Sequence, residues 1–105
     1  MSPTQPITVI FGAARVGVLD QFKSDTDLAT LYATLEKHSI KNIDTAQIYG
    51  DGDSEDFLGK TKAGERFIID TKWPGGWRPG SAIKENIITS AKESIQKLGV
   101  PKVGV

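Results

Sequence analysis

Three times along this chain a short apolar run stops at glycine or polar residues, gives way to a loop, and is followed by a segment whose apolar residues recur with helical spacing. The runs are Ile7 to Phe11, closed by Gly12; Ile40 to Ile43, closed by Asp44; and Phe67 to Ile69, closed by Asp70-Thr71-Lys72. Runs this short and this rich in β-branched and aromatic residues read as strands. After the first, Leu28, Leu31, Leu35 and His38 share one helical stripe, with Ser24 or Asp25 placed to cap its start. After the second, Asp53 can cap a short helix through Leu58, with Gly59 as its stop. After the third comes a loop too rich in Gly and Pro for regular structure, Trp73 to Gly80. Ser81 then caps a long helix whose apolar face is Ile83, Ile87, Ala91, Ile95 and Leu98, ended by Gly99. Lys102 to Val105 begins a fourth apolar run.

Strands that alternate with helices predict a parallel sheet with right-handed crossovers, and such strands need cover on both faces. Three helices on one face leave the other bare in an open sheet, whereas a closed barrel fills it with its own side chains. The expected fold class is therefore α/β, part of a (β/α)8 TIM barrel, a fold of about 250 residues. This chain of 105 residues then covers about the first half, strands 1 to 4 and helices 1 to 3. Residues 1–6 are expected to be a disordered tail and residues 7–105 a partial domain.

Thirteen basic and thirteen acidic residues cancel, and no Lys/Arg block stands out, so attraction to nucleic acid or an anionic membrane is not expected. The absence of cysteine removes disulfides, thiolate zinc sites and cysteine nucleophiles, and fits a reducing compartment. The opening Met-Ser-Pro-Thr-Gln-Pro has no positive n-region and leads into only a short apolar run, which predicts a soluble cytoplasmic protein.

Three motif matches fail. Gly59-Lys60-Thr61 resembles the end of a P-loop, but its first glycine is replaced by Ser54. Asp51, Asp53 and Glu55 have the spacing of an EF-hand start, yet Asp56 stands for the required Gly and Lys62 for the bidentate Glu. Gly12 and Gly17 lack the middle glycine of a dinucleotide fingerprint.

In a parallel α/β sheet, chemistry gathers at the carboxyl ends of the strands. There this chain places an acid, Asp44, a phenol, Tyr49, and an amine, Lys72. Taken singly, Asp44 equally reads as an Asx turn, Tyr49 before Gly50 as a half-buried loop aromatic, and Lys72 as a solvated surface charge. Together they form an acid–base set: a phenol's ordinary pKa of about 10 is too high for easy proton exchange at neutral pH, and a neighbouring ammonium lowers it. Trp73 and Trp77 flank the Gly-rich loop and either wall an apolar pocket or pack the loop against the next helix.

The stretch Asn42-Ile43-Asp44-Thr45-Ala46-Gln47-Ile48-Tyr49-Gly50, the helix running from Ser54-Glu55 to Leu58-Gly59-Lys60, the Lys72 after the third strand and the turn Phe11 to Gly17 together resemble the aldo-keto reductases. Within them, Thr71-Lys72 with Gly75-Gly76 and then Pro79-Gly80-Ser81 is most similar to the aflatoxin-aldehyde-reductase-like branch. The resemblance implies NADPH as cofactor and hydride transfer to a small-molecule aldehyde or ketone. It implies that Tyr49 protonates the developing alkoxide, that Lys72 lowers the phenol's pKa, and that Asp44 pairs with Lys72 and lies near the nicotinamide ribose. In the family the fourth catalytic residue is a His after strand four, which falls beyond Val105, as do most of the residues that clamp the cofactor, so the chain alone is expected to be inactive or only weakly active. His38, the sole histidine, is expected to cap or pack the first helix. A half-barrel exposes strand edges, so two copies closing an eight-stranded ring are one expectation. The alternative to a reductase is a non-catalytic truncated product or remnant that at most associates with another chain.

Overall fold

In the computed structural model, which describes residues 8–73, 80 and 83–103, the three apolar runs lie side by side as strands β1 (Ile10–Gly12), β2 (Asn42–Asp44) and β3 (Ile68–Asp70). They form one parallel sheet in the order β1-β2-β3. Helices α1 (Asp25–Lys37) and α2 (Asp53–Lys60) connect them, and α3 (Lys84–Leu98) follows β3. Short 3-10 turns occupy Asp20–Phe22, Tyr49–Gly52 and Ala63–Glu65. Of the fourth predicted strand, Lys102 and Val103 carry no strand geometry, and residues 104–105, like the predicted tail, lie outside the described residues. No helix among the described residues is long and apolar enough to cross a membrane.

The register explains which side of the sheet is covered. Phe11, Ile43 and Ile69 stand in one row; Ile43 and Ile69 are buried and Phe11 packs against the same core. Because side chains alternate across a strand, the rows on either side face the other way. In the first of these, Ile10 is 50% exposed and Ile68 56%. The second row is Gly12, Asp44 and Asp70. The helices therefore pack on one face of the sheet, and the opposite face carries apolar residues at the bottom and acids at the top. Each strand ends one residue later than predicted, which makes Asp44 and Asp70 strand residues rather than residues just beyond.

α1 begins as expected, with the backbone N–H of Asp27 donating to Ser24 Oγ at 3.0 Å. Its buried stripe is Leu28, Tyr32 and Leu35; Tyr32 takes the central place expected of Leu31, which is only half-buried. Tyr32 wins it because its ring packs 5.4 Å from Phe67 while its hydroxyl bonds Thr61 Oγ1 at 2.6 Å. Burial holds the Tyr32 hydroxyl above its ordinary value. Arg66 stacks on both rings and pairs with Glu36.

In α2 the cap position is Gly52, in a left-handed conformation with φ 98°, and Asp53 is the first helical residue rather than the cap. Nor does Gly59 end the helix, which continues to Lys60. A Cβ on Gly59 would lie 1.8 Å from the carbonyl oxygen of Lys97, so glycine is there to let α2 and α3 touch backbone to backbone. In α3 the cap position is Ile83, with no side-chain cap bond, so the helix starts two residues later than a cap at Ser81 predicts; Ser81 itself lies outside the described residues. The buried face is Ser90, Ser94 and Leu98, with Ile95 half-buried, while Ile83, Ile87 and Ala91, predicted on the packed face, remain exposed. The face is turned because Gln47, after β2, reaches α3: its Nε2 donates to the Ser90 carbonyl at 2.7 Å and to Ser94 Oγ at 2.8 Å. Gly99 ends α3 in the left-handed region, φ 65°, as expected.

Candidate functional site

At the carboxyl end of the sheet, the backbone ladder continues past the strands. Ala13 N–H donates to the Asp44 carbonyl at 2.8 Å, Thr45 N–H to that of Asp70 at 2.8 Å, and Gln47 N–H to that of Lys72 at 3.3 Å. These bonds place Lys72 beside the segment that leaves β2. By alternation, Asp70 and Lys72 project to the uncovered face, the side on which Asp44 stands.

The chain then turns sharply just after Tyr49. Gly50 and Asp51 both adopt left-handed backbone, with φ 61° and 56°. A Cβ at Gly50 would also sit 2.7 Å from Val18 Cγ2, so the Tyr49-Gly50 pair is dictated by the turn as much as by any chemistry.

The structure brings all three predicted residues together. Lys72 Nζ donates to both oxygens of Asp44, each at 2.8 Å, and to the carbonyl of Thr45 at 2.8 Å. Its three N–H donors are thus matched by three acceptors. The same ammonium lies 5.2 Å from the centroid of the Tyr49 ring, a distance at which the ring face attracts a cation. Partial burial pushes the Lys72 ammonium down, but the hydrogen bonds and charge of Asp44, with a smaller pull from Tyr49, outweigh it and hold the group above the usual lysine value. The pair is partly solvated, the Lys72 side chain 48% exposed and Asp44 40%.

Beneath this partly solvated trio lies a buried polar layer that sequence reading did not assign. Thr45, Ser54 and Glu55 are fully buried. Ser54 Oγ donates to the Ala13 carbonyl at 2.8 Å and lies 2.6 Å from Thr45 Oγ1. A serine has one hydroxyl proton and a carbonyl cannot donate, so Thr45 is the donor in the second bond. Thr71 Oγ1 donates to Glu55 Oε2 at 2.8 Å. The available signal was Ser54-Glu55, two polar residues on the inward stripe of a helix that also carries Leu58.

Asp44 and Gly12 bear on whether a nicotinamide nucleotide suits this end of the sheet. Each Asp44 oxygen accepts one bond from Lys72 and keeps a lone pair for a hydroxyl. Gly12, its register partner, has nothing within 4 Å of where a Cβ would stand, which leaves open floor for a flat ring. The residues present fit the nicotinamide end of such a cofactor. A cleft of ≈ 460 Å³ lined by Ile40, Lys41, Arg66 and Ile68 is at the other end of the strands, where barrels of this kind carry stability rather than chemistry. His38, exposed at the end of α1, is also at that end. Trp73 is half-buried, and Trp77 lies outside the described residues.

Residues 8–105 match the model of the aldo/keto reductase family. The chain belongs to that family. Among curated relatives, this aldo-keto reductase chain is 31% identical over 108 residues to the oxidoreductase sirO of Leptosphaeria maculans, covering 96% of this chain and 32% of that protein. An aldo-keto reductase of Pseudocercospora fijiensis is 38% identical over 74 residues, 67% of this chain and 25% of the relative. The chain thus spans about a third or less of the length of these relatives. Among solved structures, a Pseudomonas aeruginosa protein described as an aldo-keto reductase superposes with a TM-score of 0.73 at 25% identity, over 91% of this chain and 38% of the other. A Klebsiella pneumoniae aldo-keto reductase in complex with NADPH gives a TM-score of 0.62 at 23% identity, over 90% and 32%. The fold is that of the N-terminal half of a (β/α)8 barrel.

Proposed function

We propose that this chain carries the acid, the cation and the carboxylate of a site that reduces an aldehyde or ketone to an alcohol with NADPH. The observation that carries the reading is the Lys72 ammonium, held by both oxygens of Asp44 and facing the Tyr49 ring at 5.2 Å. When bound, the nicotinamide supplies the hydride. A carbonyl that gains hydride builds negative charge on oxygen, and the Tyr49 hydroxyl is the acid that meets it. Lys72 stabilises the phenolate left behind, and its charge acts most strongly once the proton has moved. Asp44 fixes the ammonium and offers its remaining lone pairs to a ribose hydroxyl. NADPH as the nucleotide is supported by the Klebsiella pneumoniae complex. We place the chain in the aflatoxin-aldehyde-reductase-like branch on Thr71-Lys72, Gly75-Gly76 and Pro79-Gly80-Ser81.

A second reading is favoured by the half-exposed Ile10 and Ile68 on the uncovered sheet face: the chain performs no chemistry by itself and closes its barrel with another chain, a second copy included. NADPH consumption with a reactive aromatic aldehyde separates the two. The first reading expects turnover that collapses in Tyr49→Phe. Absence of NADPH binding supports the second, and a well-folded monomer by light scattering refutes closure by a second copy.

A further inference from the structure

We propose that Glu55, acting through Thr71, is a positioning residue that aims Lys72 across the end of the sheet at Asp44. The proposal rests on the reading of Asp44, Tyr49 and Lys72 as a reductase site, and it names a part of that site which touches neither substrate nor cofactor.

A fully buried glutamate needs a reason, because removing a carboxyl group from water costs several kcal/mol unless its oxygens find partners. Glu55 is 0% exposed, yet only one of its oxygens is engaged among the described residues. That oxygen, Oε2, takes the Thr71 hydroxyl at 2.8 Å. Its place in the first turn of α2, the positive end of the helix, favours a carboxylate there.

Thr71 is the residue immediately before Lys72, and successive side chains of an extended segment point to opposite sides. Once the Thr71 hydroxyl is fastened to α2 behind the sheet, Lys72 must project to the front. There its ammonium meets Asp44 and the carbonyl of Thr45. The residue beside Glu55 does the same for the other strand: Ser54 fastens Thr45, which follows Asp44, and ties it to Ala13 after β1. Consecutive residues of one helical turn thus brace the exits of the two strands that carry the ion pair.

The test follows the Lys72 ε-carbon by NMR in the full chain labelled with 13C-lysine, with its signal assigned by Lys72→Arg. Wild type is expected to titrate above the other surface lysines. In Thr71→Val, which keeps the shape and deletes the hydroxyl, the Lys72 titration moves down toward them. Glu55→Ala has the same effect, whereas Thr71→Ser restores the wild-type curve. Thr61→Val is the control: it deletes a hydroxyl bonded to Tyr32 and to the Phe57 carbonyl, and it lowers stability without moving Lys72. An unchanged Lys72 titration in folded Thr71→Val and Glu55→Ala overturns the proposal. So does failure of both to fold while Thr61→Val folds, since the pair would then be a stability element only. A wild-type Lys72 indistinguishable from surface lysines refutes instead the Asp44–Lys72 pairing on which the reductase reading stands.

Discussion

Ser54→Ala removes one oxygen atom from the interior and leaves every apolar contact in place, so its cost is almost purely that of hydrogen bonding. In the native chain the bonds run Thr45 O–H to Ser54 Oγ and Ser54 O–H to the Ala13 carbonyl. The substitution strands the fully buried Thr45 hydroxyl, a penalty of about 1–3 kcal/mol. It also deletes the bond to Ala13, worth about 1 kcal/mol; that carbonyl still accepts the Val16 N–H at 3.1 Å. The expected loss is therefore about 2–4 kcal/mol, large against a typical total of about 5–15. Thr45→Val should cost less, because Ser54 keeps its donation to Ala13 and loses only an incoming donor. The double variant replaces both polar partners by apolar ones, which is far cheaper than orphaning one. Urea unfolding of the four proteins closes the cycle. Ser54→Ala/Thr45→Val should be at least as stable as Ser54→Ala alone. A double variant less stable by the full cost of Thr45→Val would show that the two hydroxyls are independent, and the buried chain of bonds would be refuted.

Two further predictions concern packing and pH. Gly59→Ala gains about 1 kcal/mol of helix propensity, but its methyl would stand 1.8 Å from the Lys97 carbonyl oxygen. A net loss of about 2 kcal/mol or more should appear as a lower thermal midpoint, and a stabilised variant would disprove backbone contact between α2 and α3. Because folding holds Lys72 above its usual value, the Asp44–Lys72 contribution is full from neutral pH up to about 10.4 and is lost as pH rises through the folded-state value. Asp44→Asn should therefore lower the midpoint at neutral pH by less than about 1 kcal/mol equivalent, the partly solvated pair being screened. That difference should shrink in the alkaline range, and a difference independent of pH there would contradict the pairing.

The strand-end chemistry was legible because it is local. A polar residue that closes an apolar run sits at the end of a strand whatever else the chain does, so the sequence alone places Asp44 and Lys72 there. Tyr49 taken alone reads as a half-buried loop aromatic, and its place in the site follows from the resemblance of the whole stretch Asn42 to Gly50. The buried layer beneath was not legible: Ser54, Glu55 and Thr71 matter through pairings 9 to 41 residues apart in sequence, which no periodicity records. Periodicity also reports which faces are apolar, not what covers them. Hence the spacing predicts Ile83 and Ile87 on a packed face, whereas α3 presents Ser90 and Ser94 inward to meet the Gln47 amide. Gly59 read as a helix stop because glycine serves that purpose often, while here it serves a helix crossing.

The central claim is that Tyr49, with Lys72 behind it, is the acid of a carbonyl reduction. The most direct test supplies NADPH deuterated at the transferable C4 position together with an aromatic aldehyde, and follows deuterium into the alcohol by mass spectrometry for wild type and Tyr49→Phe. Label should enter the alcohol with wild type and fall by about 10²-fold or more in Tyr49→Phe, as expected on loss of a general acid. Equal labelling by the two proteins, or none by wild type under saturating NADPH, would contradict it.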